Sequence, residues 1–170
     1  FGRLVELELA DPDVGTITDV VSCPGMDYCS LAIPRSMGMA EGIRAHLVDD
    51  GGAGAGFAER LGAFGIKISG CPISCGQHHI GDLGLTGHLI AGKDGVERPY
   101  YSILVGGSVG EGKARIGKRL GRYPETEAPK AVAALARTYE RERAGSERFP
   151  DWAERVGIKR LHEIASGAIG

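Results

Sequence analysis

Ile66-Lys67-Ile68-Ser69-Gly70-Cys71-Pro72-Ile73-Ser74-Cys75 reads as a short strand that runs through a glycine straight into a pair of cysteines. Ile66 and Ile68 alternate with polar neighbours at the two-residue period of a half-buried strand. Gly70 and Pro72 flank Cys71, and Pro72 suits the first position of a turn or helix, so the extended run stops there. The same order recurs upstream, where residues 16–22 are rich in β-branched side chains and lead directly into Cys23.

Outward from these strands the pattern alternates between periods. Within residues 3–9, Val5 to Leu9 alternate apolar and acidic side chains, and the stretch is expected to be a strand, although a short helix would tolerate it too; Asp11-Pro12-Asp13 ends the run. Met39, Ile43 and Leu47 carry helical spacing through residues 36–47, with Pro34 just ahead. Gly51 to Gly56 is expected to be a loop, and Phe57 to Leu61 a helical turn. Residues 82–90 and 99–105 resemble two strands, and the Gly92-Lys93-Asp94-Gly95 turn between them favours an antiparallel hairpin. Residues 129–143 form an amphipathic helix with Val132, Leu135, Ala136 and Tyr139 on one face, and 149–156 and 159–165 give two shorter helices. The expected fold class is α+β, a mixed sheet with interleaved helices and a helical C-terminal tail.

The 170 residues leave room for one domain and no second one, so residues 1–170 are read as a single domain. With 42% hydrophobic and 25% charged residues the chain can bury a core without disulfides. Its formal net charge of -2 gives no general field for nucleic acid or an anionic membrane, so any basic surface must be local. No apolar stretch is long enough for a membrane span and no leader opens the chain, which makes a cytoplasmic protein the expectation. The first residue is Phe1, inside what reads as a structured segment, as expected for a piece of a longer polypeptide. Gly51 to Gly56 contains Gly-x-Gly-x-Gly, but no β-branched strand precedes it and no Gly-Lys-Ser/Thr closes it, so a surface connection is the better reading than a dinucleotide loop.

All four cysteines fall into two pairs, Cys23-x5-Cys29 and Cys71-x3-Cys75. In a reducing compartment, paired cysteines point to metal binding or redox chemistry rather than to disulfides. Zinc prefers two to four residues between paired ligands, which the first pair exceeds; four thiolates are what a 4Fe-4S cluster takes, one per iron. Zinc and unliganded core thiols remain alternatives at this level. Pro24 and Pro72 stiffen the turns, while Gly25, Gly70 and Gly76 let backbone N–H groups approach a bound cluster.

The runs Ser22-Cys-Pro-Gly-Met-Asp-Tyr-Cys-Ser-Leu-Ala32 and Ile68-Ser-Gly-Cys-Pro-Ile-Ser-Cys-Gly-Gln-His-His-Ile-Gly-Asp-Leu-Gly-Leu-Thr-Gly87 resemble the sulfite and nitrite reductases that use siroheme. The resemblance continues through Gly106-Gly107 and the segment from Glu147 to Gly157, so it covers most of the chain, and it is to the C-terminal, cluster-carrying domain. It implies a 4Fe-4S cluster held by Cys23, Cys29, Cys71 and Cys75, with Cys75 also the axial ligand of the siroheme iron and so the catalytic residue. It further implies sulfite or nitrite as substrate, an electron donor such as ferredoxin or a flavoprotein, and the N-terminal half of the same enzyme as the source of the anion-gripping arginines and lysines. The isolated chain is therefore expected to be inactive. Ile73 departs from the family, which often has Asn there.

Gln77, His78 and His79 follow Cys75 closely enough to contact a cofactor, since an imidazole can donate to a siroheme carboxylate; a hydrogen-bonded structural pair is the plainer reading. Lys113, Arg115, Lys118, Arg119 and Arg122 form a basic stretch, read either as a solvated face or as a partner for siroheme carboxylates or an acidic donor. Asp82 and Asp94 read as turn residues, and Trp152 and Tyr139 as packing for the helical tail. The rival to a reductase domain is a non-catalytic electron-transfer or structural module that holds a cluster or zinc without siroheme.

Overall fold

The computed structural model describes residues 1–7, 10, 14–48, 56–109 and 114–169. In chain order the elements are α1 (Gly2–Glu6), β1 (Val21–Ser22), α2 (Ser36–Val48), α3 (Phe57–Leu61), β2 (Ile66–Ser69), β3 (Leu83–Ala91), β4 (Glu97–Val105), β5 (Lys118–Pro124), α4 (Ala128–Glu142) and α5 (Phe149–Gly167). The strands form one sheet in the order β1-β2-β3-β4-β5. β1, β2 and β3 run parallel, whereas β4 and β5 join antiparallel, so the sheet is mixed.

The hairpin organises this sheet. β3 and β4 pair from Leu83 opposite Val105 to Ala91 opposite Glu97. Asp94 closes the turn by accepting from the Val96 N–H at 3.1 Å and pairing with Arg98 at 2.6 Å. Directly opposed residues share a sheet face. Ile66, Leu83 and Val105 are opposed across one face, as are Ile68, Leu85 and Ile103, and these join one core with Met39, Ile43 and Leu47 of α2, Val132 and Leu135 of α4 and Leu161 of α5. Each large side chain fully buried there is worth about 1.5–3 kcal/mol. All three helices thus cover the same face.

The helical tail packs through its aromatics. Phe149 stands edge-on to Phe64 at 4.9 Å and to Tyr139 at 5.3 Å, with Trp152 at 5.4 Å. Tyr139 donates its hydroxyl to the Glu147 carbonyl at 2.7 Å, so both expected packing residues do pack the tail. Gly157, at φ 80, kinks α5 into two helical pieces, matching the two short helices expected on either side of it.

Three expectations change. Residues 2–6 are helical, not a strand; among the described residues no neighbouring strand supplies the pairing that their alternation would need, and the local i to i+4 bonds win. Of residues 16–22 only Val21 and Ser22 are strand, because only they pair with β2. β5 was not expected at all: residues 118–124 carry three cations and a glycine, and they become a strand by pairing with β4, with a register shift at Ile103/Leu104. Glu8, Leu9, the Asp11-Pro12-Asp13 stop, most of the Gly51 to Gly56 loop and Lys113 lie outside the described residues.

Candidate metal centre

β1 and β2 are parallel neighbours in register, with Ser22 opposite Ile68, so the chain leaves both strands at the same end of the sheet. Carboxyl ends of parallel strands are where open sheets build their sites. Cys23 leaves β1 there, its N–H donating to the Ile68 carbonyl at 3.0 Å. Gly70 leaves β2 there, and its N–H donates to Cys23 Sγ at 3.1 Å. The Gly70 carbonyl in turn accepts from the Ile33 N–H at 3.2 Å, so the two cysteine loops are stitched together from both sides.

Each loop is also held internally. A 3-10 turn at Gly25–Asp27 carries the chain to Cys29, whose N–H donates to the Gly25 carbonyl at 2.9 Å. Arg35 pairs with Asp27 at 3.1 Å and ties that turn to the start of α2. In the second loop the Gly76 N–H donates to Ser69 Oγ at 3.1 Å. Only glycine can lie so close, since a Cβ at Gly76 would collide with the Ile68 carbonyl. Ser74 and Gln77 both adopt positive φ, 68° and 57°, on either side of Cys75 and Gly76. Non-glycine residues there cost about 1–2 kcal/mol each, a strain that the surrounding hydrogen bonds must hold.

The four thiols are free and differ in exposure: Cys71 is buried, Cys23 and Cys29 are half-buried, and Cys75 faces out. Burial pushes the Cys23 thiol up, but the Ser36 hydroxyl at 3.3 Å and the Gly70 and Gly25 N–H groups outweigh it and hold the thiol below its usual range. The loop is thus built to favour a thiolate, the form that binds metal. Among the described residues no three His, Cys, Asp or Glu side chains close on a single-ion site. The donor set available at this end of the sheet is four sulfurs from two adjoining loops, which suits a many-iron cluster taking one thiolate per iron.

The histidines are hydrogen-bonded within the second cysteine loop. His78 is buried and hydrogen-bonded through Nδ1 to Ser69 Oγ at 2.8 Å; burial first, then His79 and His88, lower its pKa to about 4, so it is neutral at pH 7. His79 is hydrogen-bonded to Ser74 Oγ at 3.0 Å and stacks on His78 at 4.1 Å. The Gly117 N–H holds the His79 carbonyl at 2.8 Å. Gln77 reaches Lys67 at 3.5 Å. All three brace the loop that carries Cys75. Sequence reasoning missed Ser36 and Ser69, the two hydroxyls that bond the cysteine loops; Ser69 stands immediately before Gly70-Cys71, whereas nothing local marks Ser36.

Of the basic stretch, Arg115 pairs with Asp151 at 2.8 Å and Glu154 at 3.5 Å, while Lys118, Arg119 and Arg122 lie exposed on β5. Among the described residues no helix is long and apolar enough to cross a membrane.

Known proteins are similar to this chain. A relative from Haloferax mediterranei, an assimilatory ferredoxin-dependent nitrite reductase, is 30% identical over 137 residues, covering 81% of this chain and 22% of the relative. An assimilatory-type sulfite reductase from Nitratidesulfovibrio vulgaris is 29% identical over 98% of this chain and 65% of its own length. The chain therefore spans between about a fifth and two thirds of these two relatives. Among solved structures, the NirA protein of Mycobacterium tuberculosis superposes with a TM-score of 0.70 at 23% identity, covering 84% of this chain and 26% of that one. Dissimilatory sulfite reductase I superposes at 0.64 with 15% identity, over 85% of this chain and 51% of its own. These two show the same α+β fold. The family model described as the nitrite and sulphite reductase 4Fe-4S domain matches residues 15–168, a span that contains both cysteine loops and every strand of the sheet, and the chain belongs to that family.

Proposed function

We propose that Cys23, Cys29, Cys71 and Cys75 hold a 4Fe-4S cluster, and that the chain is one domain of a longer cytoplasmic enzyme that reduces sulfite or nitrite at a siroheme. The observation that carries this reading is the junction of the two cysteine loops, where Gly70 donates to Cys23 Sγ at the shared end of β1 and β2. When bound, the cluster supplies one-electron redox chemistry that no side chain can. The chain's residues bind and tune it: four thiolates as ligands, and the N–H of Gly70 directed at one sulfur, a kind of hydrogen bond that helps set a cluster's potential. Cys75, the most exposed of the four, is suited to reach outward to a siroheme iron. His78, His79 and Ser69 position its loop, while exposed Met26, Tyr28, Leu31 and Ile73 offer apolar surface beside the thiols for a macrocycle or for the enzyme's other half. The donor is an acidic carrier such as ferredoxin or a flavoprotein; the Haloferax relative is named as ferredoxin-dependent.

Anaerobic reconstitution of the chain with iron and sulfide tests the reading. About four irons and four sulfides per chain with a reducible cluster signal are expected, and no sustained sulfite or nitrite reduction by the chain alone with reduced methyl viologen. One zinc per chain and no iron uptake would favour the non-catalytic module instead.

A further inference from the structure

The sheet face opposite α2, α4 and α5, over part of which the His78–Ile80 turn lies against Gly84, carries charge of one sign. Lys67, Gly84, Leu104 and Arg119 are opposed across it, as are Ser69, Thr86, Ser102 and Arg122, followed by His88 with Tyr100 and Ile90 with Arg98. These positions include four cations and no carboxylate. Leu104, although buried, stands outside the core that the helices form on the opposite face.

Arg98 is neutralised by Asp94. Arg119 and Arg122 are exposed and have no ion pair among the described residues. Both lie close enough to His88, itself hydrogen-bonded to Ser102 Oγ at 2.9 Å, to join burial in lowering its pKa. Two exposed guanidiniums on one face of β5 make a local positive patch on a chain whose net charge is -2. Too few cations gather there to hold a polyphosphate duplex, whose binding scales with the number of phosphates neutralised. A small acidic protein surface needs only a local match, which steers encounter and fixes orientation.

The patch also has a direction. Ser69 shares its row with Arg122 and stands two residues before Cys71, so three strand spacings, about 14 Å, separate Arg122 from the strand that carries the second cysteine loop. We propose that the sheet face opposite α2, α4 and α5, around the exposed Arg119 and Arg122, is the docking surface for the small acidic electron-carrier protein that serves the cysteine site. The assignment rests on the reductase reading above and names the surface that reading leaves open.

The test uses the intact reductase containing this chain, a plant-type 2Fe-2S ferredoxin as the acidic carrier, and the double variant Arg119→Gln/Arg122→Gln, with Lys159→Gln on α5 as a charge-matched control. The double variant is expected to raise KM for reduced ferredoxin about tenfold and to flatten its dependence on salt, while the rate with reduced methyl viologen and the control variant stay at the parental level. An unchanged ferredoxin KM with unchanged salt dependence overturns the proposal. Binding of labelled ferredoxin, followed by anisotropy, separates the surface from the chemistry. If the parent turns over with neither donor, the reductase reading fails; a roughly tenfold loss of ferredoxin binding in the double variant would still support the surface, and equal binding would overturn it. Tighter binding of a DNA duplex than of ferredoxin would overturn it as well.

Discussion

The backbone N–H of Gly70 donates to Cys23 Sγ across 3.1 Å, joining two loops through residues 47 positions apart in sequence. The bond exists because β1 and β2 end together, and it leaves the Gly70 Cα packed against the other loop. A Cβ at Gly70 would lie 3.0 Å from Ala32 Cβ, 3.2 Å from Ser36 Oγ and 3.3 Å from Gly25 Cα.

Gly70→Ala is therefore expected to push the loops apart and to cost about 1–3 kcal/mol, as overpacking does. Urea unfolding measures the cost, and iron uptake on reconstitution should fall with it. Parental stability together with parental iron content would show that the loops do not depend on this contact.

Ligands and bracing residues should separate cleanly. Cys71→Ser and Cys75→Ser each remove a proposed metal ligand and are expected to abolish stable cluster assembly, whereas His79→Ala removes a bond to Ser74 and should retain most of the iron, with effects of about 10- to 100-fold at most. Iron and sulfide analysis of purified variants decides it; equal iron loss in all three would refute the ranking.

Thr86 and Ser102 face each other on the sheet face opposite α2, α4 and α5, both buried, yet only Ser102 has a hydroxyl partner, His88. Thr86→Val replaces an unpartnered buried hydroxyl by a methyl of similar shape and should be neutral or stabilising by up to about 1 kcal/mol, while Ser102→Ala should cost about 1 kcal/mol. A clear loss of stability in Thr86→Val would mean that its hydroxyl is satisfied in solution.

Asp82 links stability to pH. Burial raises its pKa to about 6, against 3.8 ordinarily, although the Gly65 N–H at 2.7 Å and Arg148 pull it down. A carboxyl whose folded pKa is raised contributes stability that is fully present below the unfolded pKa and lost as pH rises through the folded one, here between about pH 4 and pH 6, by roughly 2–3 kcal/mol. Asp82→Asn keeps an acceptor for Gly65 and removes the charge. Its stability relative to the parent should therefore climb as pH rises across that window, and parallel pH profiles would contradict the assignment.

The hairpin and α4 were legible because each signal is local: alternation on both sides of a glycine turn, and a 3.6-residue apolar stripe. β5 was not, since Leu120 and Tyr123 are its only large buried side chains and its strand state is imposed by β4. The strand expected over residues 16–22 shrank to two residues for the same reason: β-branched composition proposes a strand, and only an available partner makes one.

Cysteine number and spacing, the glycines beside them and the absence of any other cluster of soft ligands are properties of the chain itself, and they were enough to point to a many-iron site. What the chain alone could not decide was which groups surround the sulfurs. Ser36 reaches Cys23 because α2 starts above the end of β1, and Ser69 holds both Gly76 and His78 because the loop folds back over β2. The single-signed face appears only once β5 is placed in register beside β4, which sets Arg119 and Arg122 opposite Leu104 and Ser102. Ligand chemistry is written in residue type and short spacing; contacts between segments distant in sequence depend on strand pairing, which is settled by long-range burial and backbone hydrogen bonding.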